Sequence, residues 1–329
     1  MKLAIIGGGS WGTALAVVLA PRAEQVNLWV HEEDIALRMQ KSRENDVYLP
    51  GFNLPQNIVV GSDLATALHG VDIVLGVMPS RHVRRLYTEM LPYLTPSMLL
   101  VSATKGLEQH SLLRMSQVMG EVVVGKLPIA VLSGPTFARE VARGDPTAVV
   151  IAAQDPAVAQ TVQNAFSGPC LRLYTNPDPI GVEIGAALKN VIAIGAGIVH
   201  GLGLGSNTQA ALVTRGLAEI TRLAVAMGGQ PATLAGLAGM GDLVLTCSGG
   251  LSRNRKVGVE LADGRSLADI VGPMRMVAEG VETCGAAVEL GERAGVDLPI
   301  TQQMQAVMSG SRTPRDAIRD LMERQLKGE

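Results

Sequence analysis

The sequence predicts a doubly wound α/β domain over residues 1–178 and an all-α domain over residues 179–329. Three observations predict it. Short, continuously apolar runs alternate with helix-forming stretches through the first half, as strands buried on both faces of a parallel sheet require. A glycine cluster joins the first such run to the first helical one. After about residue 175 the apolar runs lengthen, become rich in Ala and Gly and lose strand alternation. A chain of 329 residues is long enough for two domains of this kind.

Residues 3–6, Leu-Ala-Ile-Ile, make a short buried strand, and residues 11–20 continue as an Ala/Leu-rich helix. The runs at 25–30, 71–78 and 98–103 read as further buried strands, with helical character over 81–94 between the last two. Residues 129–133 and 147–153 complete the strands that the pattern marks. From 179 onward helices follow one another; Gly185, Gly195 and Gly197 lower helix propensity and point to close backbone approach. The chain closes with a helix that has Thr313 as N-cap, Pro314 at its first position and Asp316 in its first turn.

Composition narrows the partners. Lys and Arg total 28 against 30 Asp and Glu, a net charge of -2, so nothing electrostatic calls for a nucleic acid or an anionic membrane. Cys170, Cys247 and Cys284 are scattered and odd in number, which suits a reducing cytoplasm rather than a disulfide framework. The five histidines lack metal-ligand spacing, and no metal is expected. The apolar start is too short for a secretory signal, and the run at 191–199 is shorter than the ~20 residues of a spanning helix, so no membrane insertion is expected.

Gly7, Gly9 and Gly12 satisfy GxGxxG directly after a strand and at the start of a helix. Gly7 permits the tight turn, Gly9 leaves no side chain between backbone and pyrophosphate, and Gly12 lets helix and strand pack closely. Thr13 follows where a phosphate-binding Walker loop needs Lys, which excludes that rival. At the end of the second strand stand Val30 and His31, with Glu32 and Glu33 beyond it and Arg38 as the nearest arginine, so the pattern leaves NAD(H) and NADP(H) both open.

Reduction of a carbonyl by a nicotinamide needs a proton donor and a cation beside the forming alkoxide. Lys105 follows a strand at the sheet edge where ligands collect. Lys189, with Asn190, interrupts an otherwise apolar helix, which is either a snorkelling lysine or a buried one with a lowered pKa. Asp242 and Thr246, four residues apart, share a helical face on which they can orient a lysine. Ser252, Arg253 and Asn254 combine a hydroxyl, a guanidinium and an amide suited to phosphate oxygens, although the Arg-Asn-Arg-Lys run also reads as a solvated basic turn. The Gly-Pro turn at 134–135 is another place for backbone N–H groups to line a pocket, and Cys247 is the one tempting thiol for a sugar-nucleotide oxidation. A non-catalytic redox sensor that binds a dinucleotide stays open as well.

In order, "GGGSWGTALA", "VMPS" at 77–80, "SATKGLE", "SGPTFARE", "ALKNVIAIGAG", "NTQAALVTRGLAE" at 207–219, "AGMGDLVLTCSGGLSRNRKVG" and "VAEGVET" at 277–283 make the whole chain similar to the NAD(P)-dependent glycerol-3-phosphate dehydrogenases of bacteria. The resemblance implies a Rossmann-like N-terminal domain, a helical C-terminal domain, a cleft between them, a cytoplasmic location and a homodimer. The activity it implies is reversible reduction of dihydroxyacetone phosphate to sn-glycerol 3-phosphate, a phospholipid precursor, with NAD(H) or NADP(H). By position it implies Ser10, Trp11, His31, Lys105, Ala138, Arg253, Val277 and Glu279 at the cofactor, beside the glycines. Around the substrate it implies Lys105, Gly134, Thr136, Asp242, Ser252, Arg253 and Asn254, with Lys189 as proton donor and acceptor.

Overall fold

A computed structural model describes residues 1–326 and 328. The chain begins with β1 (Lys2–Ile6), α1 (Ser10–Leu19), β2 (Gln25–Trp29) and α2 (Glu33–Ser42). A small hairpin of β3 (Glu44–Asn45) and β4 (Leu49–Asn53) follows, then β5 (Ile58–Gly61), α3 (Leu64–Leu68), β6 (Ile73–Gly76) and α4 (Val83–Met90). Next come β7 (Leu99–Ser102), α5 (Met115–Val122), β8 (Ile129–Ser133), α6 (Ala138–Arg143), β9 (Thr147–Ala152), α7 (Pro156–Phe166) and β10 (Leu171–Asn176).

Eight of these strands form one sheet in the order β10-β9-β8-β7-β6-β1-β2-β5. Its two faces are read directly from strand alternation: Leu3, Ile5, Leu28 and Val101 pack on the side of α1 and α7, while Ala4, Ile6, Val74 and Leu100 pack on the side of α4 and α5. The expected all-parallel sheet holds at every pair except one, since β8 and β9 run antiparallel, Val131 opposite Ala152. The connection between them explains the reversal. Its helix α6 packs against α1 instead of crossing the sheet, so the chain re-enters from the edge it left. Two edge strands and the hairpin lay outside the sequence reading: β5 has four residues, and β10 alternates buried Leu171 and Leu173 with exposed Arg172 and Tyr174.

The second half is helical: α8 (Pro179–Gly201), α9 (Ser206–Ala226), α10 (Pro231–Leu234), α11 (Asp242–Ser248), α12 (Arg253–Ala262), α13 (Leu267–Val271), α14 (Glu279–Arg293), α15 (Pro299–Met308) and α16 (Pro314–Met322). Thr313 caps α16 by accepting the Asp316 N–H at 3.1 Å. The apolar run at 191–199 belongs to a longer element than its own length suggested, for α8 has 23 residues and is long and apolar enough to span a bilayer. It is instead the buried axis of this half, wrapped by α9, α11, α12, α14 and α15. Two of its glycines allow that wrapping. A Cβ on Gly197 would run into the Arg255 carbonyl of α12, and one on Gly185 would stand 2.9 Å from the Ala238 carbonyl. Gly195 meets only side chains at 3.3 Å or more, so close approach explains two of the three glycines.

Candidate active site

At the carboxyl edge of the sheet, the turn from β1 to α1 forms a bare floor. Gly7 has φ of +128°, and a Cβ there would lie 2.8 Å from the Val77 carbonyl; a Cβ on Gly12 would collide with the Gly7 carbonyl. Gly9 differs, because a Cβ on it would point into open space with nothing within 4 Å. It caps α1, whose first-turn N–H groups and positive dipole end face that space. The Trp11 indole Nε1 beside it is buried with no partner. An open cradle over a helix N-terminus fits a pyrophosphate, and Gly7, Gly9, Ser10, Trp11 and Gly12 are the residues to hold one.

Two residues of this floor lay outside the sequence reading. Gly8 packs against the Val30 side chain, where a Cβ would come within 2.6 Å. Asn45, fully buried in the hairpin, donates from Nδ2 to the Gly8 carbonyl at 2.8 Å and to Thr13 Oγ1 at 2.8 Å. An asparagine in the polar Ser-Arg-Glu-Asn-Asp stretch at 42–46 carries no periodic signal, so only the hairpin reveals it. His31 lies just past β2, exposed, its ring centroid 5.8 Å from that of Trp29.

The lysines converge. Lys189, midway along α8 and 5% exposed, donates from Nζ to Asp242 Oδ1 and, at 2.8 Å, to Thr246 Oγ1. Lys105, after β7, donates to the other oxygen, Asp242 Oδ2, at 2.7 Å, to the Gly134 carbonyl at 2.9 Å and to Thr136 Oγ1 at 3.3 Å. Asp242 is fully buried and opens α11, so Thr246 stands one turn along the same face. Of the two readings of Lys189, the buried one holds. Burial pulls its ammonium down to about 7, the Asp242 carboxylate opposes that fall and the Lys105 charge adds to it. An amine poised near neutrality inside a polar triad is equipped to give and take a proton.

The Arg-Asn-Arg-Lys run is a helix start rather than a solvated turn. Ser252 caps α12 by accepting the Arg255 N–H at 3.2 Å, and this spends one acceptor site of its hydroxyl. Asn254 is buried: its Oδ1 accepts the Gly280 N–H at 2.9 Å, and its Nδ2 donates to Asn190 Oδ1 at 3.0 Å. Those partners fix the amide's orientation and leave the second Nδ2 hydrogen for a ligand. Asn190, noted in the sequence only as Lys189's neighbour, is thereby part of the site. Arg253 donates from Nη1 to the Val277 carbonyl at 2.8 Å, and burial lowers its guanidinium pKa.

Glu279 of the helical half bonds to Ser80, which follows β6 of the sheet. Its carboxylate accepts from Ser80 Oγ at 2.7 Å and from Ser80 N–H at 3.3 Å. Burial pushes its carboxyl up to about 7 although the Ser80 bonds pull the other way. Ala138 starts α6, which packs on α1. Among the described residues no hydrogen bond ties His31, Ser252 or Ala138 to the lysine cluster, whereas Lys105, Gly134, Thr136, Lys189 and Asp242 form one bonded unit. Cys247 is fully buried and its thiol is pushed up to about 12 by burial, which removes it as a thiolate nucleophile. Among the described residues, no group of three or more His, Cys, Asp or Glu is placed to hold a metal ion.

Comparison with known proteins identifies the family. The N-terminal family model of NAD-dependent glycerol-3-phosphate dehydrogenase matches residues 2–159, and its C-terminal counterpart matches 178–319. The glycerol-3-phosphate dehydrogenase [NAD(P)+] of Koribacter versatilis is 57% identical, the alignment covering 98% of this chain and 97% of that one. That of Geobacter sulfurreducens is 50% identical over 100% of this chain and 98% of its own. The crystal structure of glycerol-3-phosphate dehydrogenase from Coxiella burnetii superposes with a TM-score of 0.94 at 39% identity, over 98% of this chain and 99% of that one. A ketopantoate reductase from Ralstonia eutropha, 18% identical with a TM-score of 0.63 over 97% of this chain and all of its own, shares the fold alone. With both family models in register and identity above one half along the full length, the chain belongs to the NAD-dependent glycerol-3-phosphate dehydrogenase family.

Proposed function

We propose that this protein is an oxidoreductase that interconverts dihydroxyacetone phosphate and sn-glycerol 3-phosphate with NAD(H) or NADP(H). The observation that carries the reading is the bonded unit Lys105–Asp242–Lys189, set at the carboxyl edge of the sheet with a bare glycine floor at the same edge. Reduced nicotinamide, when bound on that floor, supplies hydride. Lys189 gives a proton to the carbonyl oxygen in reduction and, as the neutral amine, takes the hydroxyl proton in oxidation. Lys105 places a second positive charge beside the oxygen and, through Asp242, keeps Lys189 oriented.

Gly134 and Thr136 hold Lys105 in place, and Ser252, Arg253 and Asn254 take the substrate phosphate through their remaining donors. Ser10, Trp11, His31, Ala138, Val277 and Glu279 flank the cofactor, with Lys105 and Arg253 facing both ligands. The division at residue 178 into a dinucleotide-binding and a catalytic domain is supported by one hydrophobic core drawn wholly from residues before it and a second drawn from residues after it apart from Leu107 and Leu112, with a small cluster of Val131, Val150, Ala152, Val182 and Ala238 packing across the boundary. A cytoplasmic homodimer that supplies phospholipid backbones is the setting the family resemblance supports.

The decisive experiment follows the loss of reduced-nicotinamide absorbance when the protein meets dihydroxyacetone phosphate. Turnover is expected, and Lys189→Ala is expected to abolish it while leaving cofactor binding intact. A folded protein that binds cofactor without turning over either ketone or alcohol would instead be the redox sensor.

A further inference from the structure

The cofactor floor is bonded to a residue that bears on which dinucleotide it accepts. Beyond β2, the Glu32 carboxylate does not wave in solvent: its Oε1 accepts the Tyr48 hydroxyl at 2.9 Å. Tyr48 is itself anchored, its backbone N–H donating to Asn45 Oδ1 at 3.0 Å. Asn45 in turn grips the Gly8 carbonyl and Thr13. An unbroken chain of hydrogen bonds therefore runs from the pyrophosphate floor to one fixed carboxylate.

A dinucleotide whose pyrophosphate lies at the N-terminus of α1 extends its adenosine over the end of the neighbouring strand. That neighbour is β2, which pairs with β1 residue for residue and brings Val30 onto Gly8. Glu32 stands past the end of β2, two residues beyond Val30 and twenty beyond Gly12, close to the spacing at which an acidic side chain accepts ribose hydroxyls. With Oε1 pinned by Tyr48, Oε2 remains free to accept. A ribose diol offers it donors, whereas a 2′-phosphate offers none and adds negative charge.

The charged surroundings favour the same outcome. Glu33 and Asp34 follow Glu32 directly, and Arg38, the arginine on that helix, is paired with Asp46 at 3.3 Å. Exposed Arg275 lies within electrostatic reach of Tyr48, as does Asp34, and it is the one cation there that argues for a phosphate. His31, the remaining titratable neighbour, stacks toward Trp29.

We propose that Glu32, held by Tyr48, is the residue that makes this protein select NAD(H) over NADP(H). The inference rests on the dinucleotide-binding reading above and sharpens it. The carboxylate acts twice, welcoming the unsubstituted ribose and repelling its 2′-phosphorylated form, so that attraction and exclusion come from one group.

Binding of ADP-ribose and of 2′-phospho-ADP-ribose to the full chain, measured by calorimetry, tests this apart from catalysis. The wild type is expected to hold ADP-ribose more tightly by a factor on the order of tenfold at low salt. Glu32→Gln should bring the two ligands near parity, mainly by tightening the phosphorylated one, and Tyr48→Phe, which frees the carboxylate, should fall between. Wild-type preference for the 2′-phosphorylated ligand, or a ratio unmoved by Glu32→Gln in folded protein, overturns the proposal. So does a selective loss of the phosphorylated ligand in Arg275→Ala, which would make Arg275 the reader. If both ligands bind with the expected ratio but dihydroxyacetone phosphate is not turned over, the substrate assignment fails and the role of Glu32 stands. If neither ligand binds, both fall.

Discussion

Asp242 carries two lysines on its two oxygens, so a single buried carboxylate balances both ammonium groups. Because its carboxylate opposes the fall of Lys189's pKa, Asp242→Asn should lower that pKa further below about 7. Reduction needs the protonated amine, so the alkaline decline of kcat/KM for dihydroxyacetone phosphate should move to lower pH in the variant, and the oxidation profile should move with it; an unmoved profile assigns the titration to another group. Glu279 gives a second, opposite handle. Its carboxyl sits at about 7 against an ordinary 4.5, so the folded protein binds the proton that the unfolded chain has lost. Stability from this group is complete below about 4.5 and is lost as pH rises through about 7. Glu279→Gln should flatten that part of the melting temperature's pH dependence. Lys189, Asp242 and Thr246 were legible because a charge in an apolar run and an i, i+4 polar pair are anomalies that sequence displays. Asn45 and Ser80 were not, since short polar residues in loops look alike until their partners are known.

Among the elements, α8 shows how far a glycine pattern can be read. Three glycines suggested close packing, and the backbone of the neighbours decides which of them provide it. Gly197→Ala must push against the Arg255 carbonyl, and Gly258→Ala on α12 against the Ile194 carbonyl, at a cost of roughly 1–3 kcal/mol each. Gly195→Ala meets only flexible side chains, so the helix-propensity gain of about 1 kcal/mol has little to oppose it. Urea unfolding of the three variants should therefore give two losses and one neutral or stabilised protein. The strands were legible where both faces are buried and the run is continuously apolar. At the sheet's edges that signal shortens to four residues in β5 and to alternation in β10, below what periodicity separates from loop.

For the whole molecule, the alternation of strand and helix announced the architecture, but the β8–β9 reversal is set by where α6 docks, which is a tertiary choice. Besides the Lys105–Asp242 pair, side chains outside the lysine cluster fasten the two halves. Arg114 and Ser116, at the start of α5, hold the Glu183 carboxylate on α8, the Ser116 N–H at 2.7 Å and its hydroxyl at 2.6 Å. Glu183→Ala leaves the Arg114 guanidinium buried and unpaired, and should cost roughly 3–5 kcal/mol. Its signature should be loss of a single cooperative transition, with the sheet and the helical half unfolding separately when followed by different probes. A second fastening joins Ser80 to Glu279 and Arg81 to Glu282. Lys189 lies midway along a helix wrapped by protein, its Nζ enclosed and bonded to Asp242 and Thr246. An ammonium so enclosed is expected to exchange its hydrogens with water more slowly than those of exposed Lys41 and Lys256, which hydrogen exchange followed by NMR on the free protein checks.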